Sequence, residues 1–213
     1  MNPNKLIVLD GPNGSGKSEQ ITRLISRMKA DLYFFNHHPP GVKTEKFPRY
    51  SDNELGKSLH DYLREENPAG LTGTEFQLLN AAGFYQAQSS IQDWVRENDF
   101  VILESYFGTC LAWSIATGVD PAKIDLLKTL FKDLVQPDLT IIFTGATFGD
   151  KYEEGHKHES TSTLINKVSL AFTELAEEYG WTMINIEGKS IDEVAKVVFD
   201  TVLAMPKLRW KVK

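Results

Sequence analysis

Short apolar runs alternate along this chain with longer stretches in which apolar residues recur every three to four positions. Leu6-Ile7-Val8-Leu9 is a β-rich run that ends at Asp10; a glycine-rich turn follows, then Ile21, Leu24, Ile25 and Met28 at helical spacing. Leu32-Tyr33-Phe34-Phe35 is a second strand-like run leading into a loop with Pro39, Pro40 and Gly41. Leu55, Leu59, Tyr62 and Leu63 mark one side of a helix over 53–66, and another helix starts near Thr72-Gly73-Thr74-Glu75 and continues to about 98. Three more strand-like runs are Phe100-Val101-Ile102-Leu103, Thr140-Ile141-Ile142-Phe143 and Thr182-Met183-Ile184-Asn185-Ile186. Helical patterns fill the gaps, including 121–134, 163–179 and 191–204. Strands separated by helices, and too uniformly apolar to have a solvent face, predict an α/β protein: a five-stranded parallel sheet between two helical layers.

Composition narrows the class. A chain of 213 residues suits one domain, 1–213, and 41% hydrophobic with 24% charged residues allows a substantial core. The formal net charge of −6 argues against a nucleic-acid polymer as partner, which calls for a basic face, yet leaves room for a local basic pocket. The single cysteine, Cys110, cannot form an intrachain disulfide. No charged segment followed by a long apolar run opens the sequence and no run approaches membrane-spanning length, so the expectation is a cytoplasmic protein with no membrane association. The least regular stretch, 144–163, is rich in glycine, histidine and charge and is a candidate lid. The basic tail from Lys207 through Trp210 to Lys213 reads as a solvated end.

The chemistry is concentrated in Gly11-Pro12-Asn13-Gly14-Ser15-Gly16-Lys17-Ser18, which fits the phosphate-loop pattern G-x-x-x-x-G-K-[ST]. Glycines allow a tight turn whose N–H groups point inward, and the helix that follows offers its positive N-terminus to the phosphates. Asn13, Gly14, Ser15, Gly16, Lys17 and Ser18 are therefore assigned to a nucleoside triphosphate, with Lys17 on the outer phosphates and the Ser18 hydroxyl as a Mg²⁺ ligand. The motif sits between an apolar strand and an amphipathic helix, as this mechanism requires. It leaves the acceptor unnamed.

Four further segments resemble the thymidylate kinases, a branch of the P-loop nucleoside monophosphate kinases. They are Phe47-Pro48-Arg49-Tyr50 through Gly56-Lys57; the strand from Phe100 to Tyr106; Pro137-Asp138-Leu139-Thr140 with the strand that follows; and Ala171-Phe172-Thr173-Glu174-Leu175-Ala176 with the later Gly188-Lys189-Ser190-Ile191-Asp192-Glu193. The resemblance covers nearly the whole chain. It implies the three-layer α/β/α P-loop kinase fold, a homodimer, ATP with Mg²⁺, and transfer of the γ-phosphoryl to a deoxynucleoside monophosphate, with dTMP the expected acceptor. It further implies Arg49 on the acceptor phosphate, Glu104 working with Mg²⁺, Lys189 near adenine, and Asp10, Phe84, Tyr106 and Trp113 around the acceptor.

The acceptor side departs from the family pattern. Ser105 stands where the family has an arginine, Asn13 where it has an acid, and Asn80, Gly83 and Phe84 where it has a stacking aromatic and an Asp-Arg pair. A polar base contact becomes Cys110 and an aromatic near the sugar becomes Trp113. A stacking ring relocated to Phe84 or Tyr85 would reshape the pocket; core packing is the competing reading of Phe84. The candidate lid has no arginine, and Lys157, helped by Lys151, is the expected charge on the transferring phosphoryl. His156 and His158 lack a third ligand and read as solvated. A deoxynucleoside kinase, a monophosphate kinase of changed base preference and a nucleotide-binding protein with weak catalysis stay open as alternatives.

Overall fold

The computed structural model describes residues 6–31, 39–51, 54–64, 67–145 and 162–205. The described strands are β1 (Leu6–Asp10), β2 (Val42–Lys46), β3 (Phe100–Glu104), β4 (Leu139–Thr144) and β5 (Thr182–Asn185), and they form one parallel sheet in the order β2-β3-β1-β4-β5. The helices are α1 (Lys17–Ala30), α2 (Glu54–Leu63), α3 (Gly73–Glu97), α4 (Phe107–Ala116), α5 (Pro121–Phe131), α6 (Ser162–Tyr179) and α7 (Ile191–Leu203).

Alternate side chains of the central strands enter two separate cores, as the period of two dictates. Leu6, Val8, Val101 and Leu103 pack with Phe107 and Leu111 of α4 and Phe172 of α6. Ile7, Leu9, Phe100 and Ile102 pack on the other face with Leu24 and Met28 of α1 and Val198 of α7. This is the three-layer α/β/α arrangement expected from the strand composition. A smaller cluster joins α2 to α3, with Tyr62 and Phe76 stacked at 4.4 Å.

Helix starts follow local chemistry. Thr72 and Glu75 form a reciprocal capping box at α3, as do Ser190 and Glu193 at α7. The Asp120 carboxylate accepts the Ala122 N–H at 2.8 Å, and Pro121 occupies the first turn of α5, where its missing N–H costs nothing.

Two elements differ from expectation. The second strand of the described sheet is Val42–Lys46, while the anticipated run 32–35 lies outside the described residues. β2 is an edge strand with half-exposed, charged side chains, which guards an edge but erases the apolar signature. Helix α4, for which the sequence set no bounds, is buried on nearly all sides and so lacks an amphipathic period.

The sheet also locates the site. β1 is followed by α1 and then by β2 on one side, whereas the chain after β3 crosses to β4 on the other side. The connection reverses direction between β1 and β3, and ligands of open α/β sheets bind beyond the carboxyl ends of the strands at such a point. Register pairs Leu9 with Glu104 there.

Candidate active site

The phosphate loop leaves β1 at this reversal. Gly16, the residue before α1, has φ 82°, a left-handed conformation that glycine adopts without steric cost. Lys17 is buried and its Nζ donates to the carbonyls of Gly11 and Pro12, both at 2.9 Å, so the charge is held inside the loop it serves. Ser18 Oγ donates to Glu104 Oε1 at 2.8 Å, joining the first turn of α1 to the end of β3.

Glu104 Oε1 also takes Lys46 Nζ at 3.1 Å. The Lys46 side chain is 57% exposed, so this pair adds only about 0–1 kcal/mol to stability; its importance is the positive charge it sets at the cleft. Ser18 and Glu104 supply two hard oxygens side by side, a set that fits Mg²⁺ held jointly with phosphate oxygens. Among the described residues no group of three or more His, Cys, Asp or Glu could hold a metal ion without such help.

Asp10 is fully buried. It accepts the Gly11 N–H at 2.9 Å and the Tyr106 N–H at 3.4 Å, and the Thr109 hydroxyl donates to it at 2.5 Å. Burial raises its pKa to about 6, opposed by the Thr109 hydroxyl, the Lys17 charge and the two backbone N–H groups. It thus ties the start of the phosphate loop to the start of α4. Ser105, the next link in this wall, has φ 63°, uncommon for a residue with a side chain, and its N–H donates to the Leu9 carbonyl at 3.0 Å.

A cleft of about 760 Å³ opens in front of these groups. One wall is the phosphate loop with Asn13, Gly14, Gly16, Lys17, Ser18 and Gln20; the other comes from the β2 end, α2, α3 and α4, with Lys46, Tyr50, Arg64, Gln77, Asn80 and Trp113. Glu104 and Ser105 lie between the two walls.

Not every predicted acceptor residue reaches this cleft. Arg49 lines a smaller neighbouring hollow with Leu55, Leu59, Gly83 and Gln86, its guanidinium 5.9 Å from the Phe47 ring centre. Its neighbour Tyr50 lines the cleft. The loop is held close to α2: a Cβ on Gly56 would lie 2.1 Å from the Arg49 carbonyl oxygen. This hollow adjoins the cleft, the two sharing Phe47, Pro48 and Asn80 in their linings.

Phe84 and Tyr106 are each 1% exposed and belong to the larger core cluster, not to the lining of the cleft. Phe84 meets Phe47 at 5.4 Å, Tyr106 at 5.2 Å and Phe131 at 5.8 Å, edge to face in each case. Gln88 donates to the Tyr106 hydroxyl at 2.9 Å, and burial pushes that phenol up to about 12, which removes it from acid–base chemistry near neutrality. Cys110 is likewise buried, its thiol directed to the Gln77 carbonyl at 3.7 Å.

Trp113 does line the cleft. Asp10 and Ser15 are fully buried, and Asp10 acts behind the wall. Lys189 turns its ammonium to the Asn185 carbonyl at 2.7 Å, and its loop meets the cleft through Ile191. Lys157, Lys151, His156 and His158 lie outside the described residues, as do most of the candidate lid and the basic tail. The sequence reading did not single out Lys46 and Arg64, which line the cleft. Lys46 became visible only once β2 was placed, because register then sets it beside Glu104.

Comparison with known proteins decides the family. The family model described as thymidylate kinase matches residues 9–198. The chain belongs to the thymidylate kinase family. That family consists of ATP-dependent nucleoside monophosphate kinases. Among curated members, the chain is 26% identical over 198 residues to a thymidylate kinase of Caenorhabditis elegans, covering 91% of this chain and 88% of that one. It is 27% identical over 213 residues to the thymidylate kinase of Schizosaccharomyces pombe, covering 94% and 92%. The solved thymidylate kinase of Candida albicans shares the fold with a TM-score of 0.70 at 22% identity, over 93% of this chain and 91% of that one. That of Ehrlichia chaffeensis gives 0.67 at 20% identity, over 93% and 98%. No helix among the described residues is long and apolar enough to cross a membrane.

Proposed function

We propose that this chain transfers the γ-phosphoryl of ATP to a deoxynucleoside monophosphate, with dTMP as acceptor and dTDP as product. The observation that carries the reading is the single cleft in which the phosphate loop faces a second wall bearing Lys46 and Arg64. Two nucleotides can meet end to end in such a space, with cations on either side of the phosphates. Family membership and the thymidylate kinases named above support the same acceptor.

Phosphoryl transfer asks little covalent work of a protein; positioning and charge stabilisation dominate. On this reading the loop N–H groups and Lys17 hold the donor's outer phosphates. Arg64 and Lys46 draw in the acceptor phosphate and offset negative charge where Ser105 provides none. Ser18 and Glu104 are the residues to hold Mg²⁺, which would neutralise donor phosphate charge. Asp10 keeps the phosphate loop and α4 in register. A homodimer in the cytoplasm belongs to the same proposal, with Leu78 and Tyr85 of α3 offering exposed apolar surface to a second copy.

One observation favours a second reading, a changed base preference: position 80 presents an asparagine to the cleft, where the family pattern has a stacking ring. A coupled assay of ADP release across nucleosides and nucleoside monophosphates decides between the two. Preference for dTMP is the expected result. Preference for another monophosphate would favour the second reading; turnover with nucleosides alone, or no turnover with any acceptor despite ATP binding, would sink both.

A further inference from the structure

We propose that Lys46 and Mg²⁺ are alternative partners of the Glu104 carboxylate, so that loading the donor turns the Lys46 ammonium toward the acceptor phosphate. This rests on the acceptor reading above and adds to it a coupling between the two substrates.

The sheet fixes one end of Lys46 and leaves the other loose. Lys46 closes β2 opposite Glu104 in the register with β3, and the Phe47 N–H donates to the Glu104 carbonyl at 3.0 Å, so the two residues stand side by side. The Glu104 side chain is 10% exposed and that of Lys46 57%. The carboxylate therefore has a fixed place, while the ammonium ends a flexible four-carbon stem beside the cleft it helps to line.

A single oxygen carries the exchange. Glu104 Oε1 accepts the Ser18 hydroxyl at 2.8 Å and the Lys46 ammonium at 3.1 Å. Ser18 and Glu104 are also the pair whose oxygens fit Mg²⁺, so the ammonium satisfies the same carboxylate that the metal needs. An ion pair with one partner this exposed is weak and separates readily. An ammonium and a divalent cation at one carboxylate repel each other, and the ammonium is the partner with room to leave. On the cleft side it passes Ser105, which brings no charge, and enters the space between Lys17 and Arg64 of the two walls. An acceptor phosphate in that space meets a charge that donor binding has released. Such coupling is reciprocal, so the acceptor strengthens the hold on donor and metal by the same factor.

The test is equilibrium titration of the wild type and Lys46→Met, with a non-hydrolysable ATP analogue as donor. dTMP is titrated with and without the analogue and Mg²⁺. Mn²⁺, a spectroscopic substitute for Mg²⁺ at oxygen ligands, is titrated into the analogue-loaded protein without acceptor. The variant keeps its fold, because the side chain it replaces is more than half exposed. The wild type is expected to bind dTMP about tenfold more tightly with the analogue and Mg²⁺ present, and in Lys46→Met that ratio should fall below about threefold. Mn²⁺ should bind Lys46→Met about threefold or more tightly than the wild type, because the competing charge is gone. A lysine that merely supports the fold would move neither quantity, and one that only holds donor phosphate would weaken Mn²⁺ when removed. Mn²⁺ bound equally or more weakly by the variant, or an equal dTMP ratio in the two proteins, would overturn this proposal while leaving dTMP as the acceptor. Failure of the wild type to bind dTMP in any of these conditions would remove this proposal and the acceptor reading together.

Discussion

The two walls of the cleft are built on different principles. The donor wall is one continuous stretch of chain, Gly11 to Ser18, whose lysine is held by the carbonyls of its own loop at 2.9 Å. The opposite wall, proposed above for the acceptor, is assembled from side chains of β2, α2, α3 and α4 and the residues next to them. Nearly everything that chemistry requires of the first wall is local backbone geometry. The second depends on which way each side chain leaves its element. A nucleotide kinase can therefore keep its donor wall while the acceptor wall changes residue by residue.

The sharpest way to break this contrast is at Lys17. Lys17→Ala is expected to lower kcat roughly 10³-fold or more while circular dichroism and thermal midpoint show an intact fold. Activity within tenfold of wild type would deny the loop its role. A smaller effect compares two arginines, Arg64 of the other wall and Arg49 of the adjoining hollow. Arg64→Ala should raise KM for the acceptor about tenfold, the loss of one charge-assisted hydrogen bond, with little change in KM for ATP. Arg49→Ala should raise it less than about threefold; the reverse order would place Arg49, not Arg64, on the acceptor phosphate.

Asp10 connects the walls and provides the subtlest comparison. Burial places its folded pKa at about 6, above the ordinary 3.8. Between these values the folded chain keeps a proton that the unfolded chain has lost. This group's contribution is therefore most favourable below the lower value and is lost as pH rises through the upper one. Urea denaturation at about pH 4 and about pH 7 should show the wild type losing stability relative to Asp10→Asn, by up to about 3 kcal/mol. No relative change would contradict a raised carboxyl.

The same contrast explains what could be read from the sequence. β1, β3 and β4 were legible because buried central strands are apolar without interruption, and α3 and α7 because amphipathic spacing met capping chemistry. The edge strand β2 was not, since Lys43, Glu45 and Lys46 carry no burial signal, and with β2 went Lys46 beside Glu104. In the site, the phosphate loop is a linear motif, and Ser18 hydrogen-bonds to Glu104 across 86 positions of sequence. Arg49 was singled out by resemblance alone, and the structure places it in the hollow that adjoins the cleft while Tyr50 lines the cleft itself. Phe84 carried the right ring at the wrong depth: three neighbouring aromatic rings enclose it.

The central claim is that both walls serve one phosphoryl transfer. Incubating the protein with Mg²⁺, dTMP and ATP labelled at the γ-phosphorus, then separating the products, tests it directly. The account predicts that the label appears in dTDP, at a rate well above its release as inorganic phosphate. Label found only in inorganic phosphate, or left in ATP while both nucleotides bind, would contradict it.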